Sequence, residues 1–282
     1  MKRDYVLEQS LTFAATSRAM SAAEVSSQLL ALGVRRGGVL LVHTSFRAVR
    51  PIAGGPTGLI DALRDALGPE GTLVMPSWSG LDDEPFDPLT TPSADDLGIV
   101  AQTFWRLPGV RRSNHFHAFA AVGPQAELVT ADPLPLPPHI PASPVGRVHD
   151  LNGQVLLLGV GHDANTTLHL AELITSVPYR TESYITVLEN GQRVQIRYGE
   201  NNHCCARFAL ADTWLGDAGR QAEGQVGHAH ARLADARDIV ALAVERLVAD
   251  PLLFLHAPEA GCPECVEARQ SVSVGEPIRN MG

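Results

Sequence analysis

The stretch best equipped for chemistry is Asn165-Thr-Thr-Leu-His169-Leu-Ala-Glu172. His169 and Glu172 are three residues apart, so on a helix they share a face. A neighbouring carboxylate favours the imidazolium, whereas the dipole at the start of the same helix disfavours it. Opposed influences of this kind keep a histidine in the range where it works as a general base. The Thr166 hydroxyl, one turn earlier, could donate to a developing oxyanion. The same spacing also suits a polar pair on a solvated helix face, and spacing alone does not separate the two.

Five other segments carry groups that could react or bind a ligand. Val42-His43-Thr44-Ser45-Phe46-Arg47 leaves an apolar run, and its hydroxyls and free N–H groups could grip a phosphate or an amide. Gly54-Gly55-Pro56-Thr57 opens a helix whose N-terminus suits an anion. Neither is a Walker motif or a dinucleotide fingerprint, since the required glycine and lysine spacings are absent. His203-Cys204-Cys205 and Cys262-Pro-Glu-Cys265 together offer soft ligands for a tetrahedral structural zinc. Two adjacent cysteines rarely reach one metal, so the expected ligands are Cys262, Cys265, Cys205 and His203. Cys204 is the alternative and His256 a spare; four reduced thiols without metal is the competing reading. The acidic loop Asp82-Asp83-Glu84 with Asp87, beside Trp78 and Phe86, suits a polycation but also suits plain solvation. His115-Phe-His117 raises a metal-dependent hydrolase, although no carboxylate-rich motif accompanies it.

The elements that must position these groups follow from hydrophobic pattern. Gly38-Val-Leu-Leu-Val-His43, Thr72-Leu-Val-Met-Pro76 and Gln154-Val-Leu-Leu-Leu-Gly159 are short apolar runs, as expected for strands buried on both faces. A capping box at Ser21-Ala-Ala-Glu24 opens a helix to Gly33, and a second helix follows Gly54-Gly55 to Gly68. Further helices are expected over 97–107, 124–129, 166–177, 206–215 and 234–248, with a strand over 118–122. Asn165 is placed to cap the helix that carries His169. Residues 132–144 are too rich in proline for regular structure. Glu189-Asn190-Gly191 marks a hairpin. The order implies an α/β fold with a mixed central sheet flanked by helices. Residues 1–20 read as a loose N-terminal arm and 21–282 as one α/β domain with a hairpin and a helical C-terminal portion.

Composition sets bounds on partners. The 282 residues are 45% hydrophobic and 19% charged, with a formal net charge of -9. An acidic surface disfavours nucleic acid and anionic membranes and attracts cations. There is no apolar run of membrane-spanning length and no signal-peptide pattern, so a cytoplasmic location is expected. Oligomeric state is not fixed by the sequence.

Six of these segments, in order, resemble the aminoglycoside 3-N-acetyltransferases. They are Leu41-Val-His-Thr-Ser-Phe-Arg47, Gly54-Gly-Pro56, Gly71-Thr-Leu-Val-Met-Pro76, Ser143-Pro144, Leu156-Leu-Leu-Gly-Val-Gly161 and Asn165-Thr-Thr-Leu-His-Leu-Ala-Glu172. The acidic loop, Asn202-His-Cys-Cys205, Asp132 to Pro138 and Pro258 to Cys262 are similar to the type IV, apramycin- and gentamicin-modifying branch. The resemblance implies the antibiotic N-acetyltransferase fold, not that of the GNAT enzymes. It implies acetyl-coenzyme A as cosubstrate and transfer to the 3-amino group of a 2-deoxystreptamine aminoglycoside, with resistance as the outcome. It also implies His169 as the base with Glu172 and Thr166. By the same resemblance His43, Thr44, Ser45, Phe46, Arg47 and Ser143 serve the coenzyme. Trp78, Asp82, Asp83 and Glu84 face the drug. Direct transfer is expected, because no cysteine lies in the predicted site and no nucleophile elbow is present. The rivals are a metal-dependent amidohydrolase using His115, His117 and His162, and a non-catalytic drug-binding protein.

Overall fold

A computed structural model describes residues 18–131 and 136–273. In chain order the strands are β1 (Val39–Thr44), β2 (Thr72–Pro76), β3 (Arg111–Arg112), β4 (Phe119–Val122), β5 (Gln154–Leu158), β6 (Thr181–Glu189), β7 (Gln192–Glu200), β8 (Gln221–Val226) and β9 (Ala229–Asp235). The helices are α1 (Ala22–Leu32), α2 (Phe46–Val49), α3 (Gly55–Leu67), α4 (Gly98–Phe104), α5 (Ala126–Val129), α6 (Pro144–Asp150), α7 (Thr167–Thr175), α8 (Leu210–Asp217), α9 (Ala236–Ala249) and α10 (Pro263–Ser273).

Seven strands form one sheet in the order β3-β4-β2-β1-β5-β9-β8. β1 lies between β2 and β5 and is parallel to both, with Leu40 opposite Leu73 and Val42 opposite Leu156. β4 and β9 run antiparallel to β2 and β5. The sheet is therefore mixed. The hairpin β6–β7 stands apart as a two-stranded sheet, so the mixing comes from β4 and β9 and not from the hairpin.

Alternation along the strands builds two cores. Leu41, Val74, Val155 and Leu157 pack under α6, α7 and α9, whereas Leu40, Leu73, Leu156 and Leu158 pack under α1, α3 and α4. Each fully buried leucine contributes about 2 kcal/mol in transfer terms. That is why these strands read as unbroken apolar runs.

Local signals account for most boundaries. Ser21 and Glu24 form the expected capping box, and Gly33 closes α1 in the left-handed region. Asn190 and Gly191 both have positive φ, which the tight turn between β6 and β7 requires. Three expectations need correction. β8 and β9 fall where no strand was expected: β8 is an exposed edge, and the alanines of β9 mask its alternation. The helix expected over 206–215 is a 3-10 turn, Ala206–Ala209, followed by α8. The helix expected at 97–107 is shorter, because Gly98 opens α4 and Trp105 ends it. The proline-rich run is irregular from 136 to 143, and Ser143 caps α6 by accepting the Gly146 N–H; residues 132–135 lie outside the described residues. So does the proposed arm, except Arg18 to Met20. Among the described residues no helix is long and apolar enough to cross a membrane.

Candidate active site

The carboxyl ends of β1, β2 and β5 point the same way, and a cavity of about 340 Å³ opens over them. Ligand sites in open α/β sheets form at this edge. Each strand contributes at or just beyond its end: His43 and Thr44 close β1, Trp78 follows β2, and Val160, Asp163, Ala164, Asn165 and Thr166 follow β5. His117, which precedes antiparallel β4, reaches the same rim. His169 from the first turn of α7 lines the wall. Asn165 supports that turn by accepting the Thr167 N–H. A larger cleft of about 710 Å³ lies at the opposite end of the sheet, between Arg36, Arg64 and Gly123, and is lined by no histidine or cysteine.

The pairing expected from spacing is present. His169 Nδ1–H donates to Glu172 Oε2 at 2.7 Å. Glu172 is completely buried. Its other oxygen, Oε1, accepts from His203 Nε2–H at 2.8 Å and from the Tyr179 hydroxyl. His203 Nδ1 accepts the Cys205 N–H at 3.0 Å, which places the His203 proton on Nε2. Burial alone would raise the Glu172 carboxyl, but the bonds from His169 and His203 outweigh it and hold it at about 2. Burial would lower His169; the Cys205 sulfur at Nε2 and the Glu172 carboxylate at Nδ1 outweigh that, and its pKa is raised well above the ordinary value. Tyr179 is pushed up by burial and by Glu172, so it remains an O–H donor.

With Nδ1 committed to Glu172, Nε2 is the atom of His169 left to exchange a proton. Cys205 Sγ stands 3.5 Å from it. This overturns the expectation that no cysteine lies in the site. It also removes Cys205 and His203 from the expected zinc set: Cys204, Cys262 and Cys265 form a separate cluster, while His169, His203 and Cys205 form another. The Cys205 sulfur faces His169, whereas the Cys204 sulfur faces Cys265. His139 stacks on His169 with ring centroids 5.1 Å apart, and Phe208 meets His169 edge-on.

The remaining expected residues divide. Thr166 lines the cavity, its Oγ1 3.3 Å from His43 Nε2. Burial, aided by His162, pulls His43 down to about 4, so it is neutral. Thr44 Oγ1 is shielded from solvent without a hydrogen-bond partner among the described residues. Ser45 to Arg47 run on into α2 and do not line this cavity, and Ser143 instead borders a small void with His115, His117 and His139. Trp78 lines the cavity, but Asp82, Asp83 and Glu84 do not. Asp83 accepts from Tyr184 at 2.7 Å, and Glu84 pairs with Arg193. Asp87 bonds within its own loop, and Phe86 lies under the Arg112 guanidinium. The exposed carboxylates that do line the cavity are Asp96 and Asp163. Sequence reasoning missed them, along with His139 and Phe208, since no local pattern marks them. His162, one of the hydrolase trio, is held by Asn165 and Gln221 with both ring nitrogens engaged. It is not gathered with His115 and His117. His256 offers its carbonyl to Arg269.

Residues 41–248 match the family model described as aminoglycoside 3-N-acetyltransferase. The chain is 67% identical over 239 residues to aminoglycoside N(3)-acetyltransferase IV of a Salmonella species, covering 85% of this chain and 92% of that one. Among solved structures, a histidine-to-alanine variant of AAC(3)-IVa in complex with gentamicin superposes with a TM-score of 0.90, at 65% identity, over 92% of this chain and 100% of that chain. The complex of such a variant with apramycin gives 0.83 at 64% identity, over 88% and 98%. The binary complex of AAC-IIIb with CoASH gives 0.75 at 28% identity, over 82% and 97%.

Proposed function

The chain belongs to the aminoglycoside 3-N-acetyltransferase family, and from that premise we propose that it moves the acetyl group of acetyl-coenzyme A to the 3-amino group of a 2-deoxystreptamine aminoglycoside, with His169 as general base. The observation that carries the assignment is the buried Glu172 carboxylate, which fixes His169 by Nδ1 and leaves Nε2 at the cavity. The AAC(3)-IVa complexes with gentamicin and apramycin are of a histidine-to-alanine variant. That fits a histidine which turnover needs and binding does not.

The drug arrives as a polycation, and Asp96 and Asp163 at the rim are suited to receive its ammonium groups. The target ammonium must lose a proton before its lone pair can attack. Neutral His169 takes that proton at Nε2, directly or through a water, and Glu172 stabilises the imidazolium so formed. A nearby bound cation lowers the proton affinity of His169 and so favours the form that can act. The amine nitrogen bonds to the thioester carbonyl carbon, and the oxyanion that develops accepts from the Thr166 or Thr44 hydroxyl. The carbon–sulfur bond breaks, the coenzyme A thiolate takes up the proton from His169, and the acylated nitrogen gives its surplus proton to the freed Nε2, from which it passes to solvent. The products are the amide and free coenzyme A. The segment His43 to Arg47 and Ser143 remains our assignment for the coenzyme, on motif resemblance. The two cores sharing one sheet support reading the described part of 21–282 as one catalytic domain. Dependence on acetyl-coenzyme A fits a cytoplasmic enzyme. The type IV branch, which accepts apramycin as well as gentamicin, is the specificity we expect.

A second reading comes from Cys205. The series Cys205, His169, Glu172 has the order of a nucleophile, base and orienting carboxylate. In that reading the thiolate accepts the acetyl group first, releasing coenzyme A, and the amine then attacks S-acetyl-Cys205. Incubation with acetyl-labelled coenzyme A alone separates the two. Direct transfer leaves the protein unlabelled and Cys205→Ala active, whereas the covalent route labels the protein and Cys205→Ala is inert.

The reaction itself is tested by following thiol release on mixing acetyl-coenzyme A with a panel of aminoglycosides. Release that depends on gentamicin or apramycin supports the assignment. Absence of release with tight drug binding would point to a sequestering protein, and drug cleavage abolished by chelator would point to a hydrolase.

A further inference from the structure

The cysteines left over from the active site are themselves organised. The sulfurs of Cys204, Cys262 and Cys265 lie within 4.8 Å of one another. Cys204 and Cys265 are 3.7 Å apart. Sulfurs at two corners of a tetrahedron around zinc, with bonds of about 2.3 Å, stand about 3.8 Å apart. A disulfide needs about 2.05 Å. Cys265 is buried, while Cys204 and Cys262 reach solvent.

Two of the three cysteines lie together at one end of a helix. Cys262 directly precedes α10 and Cys265 lies in its first turn, so both sulfurs sit at the positive end of an 11-residue helix. Burial pushes the Cys204 thiol up, so a metal ion must displace its proton on binding. The thiolate is the ligating form.

The second trio, His169, His203 and Cys205, makes an instructive contrast. There both nitrogens of His203 are already engaged, one by Glu172 and one by the Cys205 N–H. Metal binding would have to release Glu172. The three thiols have no such competing commitment.

We propose that Cys204, Cys262 and Cys265 bind one zinc ion, with solvent completing the tetrahedron. The ion fastens the start of α10 to the segment 201–205. That segment supplies His203 to Glu172, and through Glu172 it bears on His169. Adjacent Cys204 and Cys205 therefore serve different sites, one the metal and the other the base. The role of the ion is positional, and no reaction step passes through it.

The test uses the full chain without a histidine tag, purified in a non-thiol reductant from zinc-supplemented medium. Metal analysis should find about one zinc per chain. Cys204→Ser and Cys262→Ser should lose it and melt at lower temperature, whereas Cys205→Ser should keep it. Replacing the metal in the unmodified chain with cobalt should give a thiolate charge-transfer band and the visible bands of tetrahedral cobalt, a readout independent of whether the variants fold. Zinc-free protein with all thiols reduced after exposure to zinc, absence of the cobalt bands, or zinc lost on Cys205→Ser but kept on Cys204→Ser would each overturn the proposal.

Discussion

Glu172 and the acidic loop 82–84 are both carboxylates beside aromatic or basic neighbours, and the fold treats them in opposite ways. Glu172 is sealed inside, with His169, His203 and Tyr179 all turned toward it. Asp82, Asp83 and Glu84 are exposed, and two of them are spent on the hairpin through Tyr184 and Arg193. A buried charge survives only where donors converge on it. An exposed one needs no partner, and its pairs add little. Convergence on a desolvated carboxylate, more than the density of acidic residues, marks the chemistry in this molecule.

The sharpest way to break that contrast is Glu172→Gln. Removing the charge strands two imidazoles and a phenol, so the variant should lose about 3–5 kcal/mol of stability. Turnover should fall about a hundredfold, the scale of general-base catalysis. Thermal melts and thiol release measure both. The matching change Glu84→Gln should move stability by less than about 1 kcal/mol; equal losses at the two positions would erase the distinction.

A second effect appears in the pH profile. His169 works as a base only when neutral, and its pKa is raised by Cys205 and Glu172 against burial. Activity should therefore climb with pH along a limb lying above the ordinary histidine range. Cys205→Ala, which removes the sulfur at Nε2, should move that limb to lower pH. Stability carries the same signature: the His169 contribution is full below the unfolded histidine pKa and is lost as pH rises through the raised one. An unmoved limb in Cys205→Ala would detach the thiol from the base.

Smaller changes belong at the rim. Asp96→Asn with Asp163→Asn should raise KM for the aminoglycoside about tenfold, the factor given by 1.4 kcal/mol. That penalty should shrink as salt is added, with kcat little changed. Neutralising Asp82 and Asp83 should raise KM by less, about twofold to threefold, because those carboxylates act on the site only at a distance. The reverse ranking would restore the loop as the drug-facing wall.

Much of this arrangement was legible in the residues. The three parallel strands, the loops leaving them and the His169–Glu172 pair follow from apolar runs, caps and i,i+3 spacing. Tertiary convergence left no local trace. Tyr179 and His203 reach Glu172 from seven and 31 residues away, and nothing in the 203–205 triplet shows that Cys205 turns toward His169 while Cys204 turns toward Cys265. The sheet edge β8–β9 was hidden for a different reason. Its exposed, alanine-rich strands lack the hydrophobic contrast that marked the centre.

The role of His169 as base is tested by His169→Ala, with calorimetry for aminoglycoside and coenzyme A binding and thiol release for turnover in the same preparation. Binding within a few-fold of the parent and kcat lowered at least about a hundredfold is the predicted result. Intact binding with near-parental kcat would contradict it.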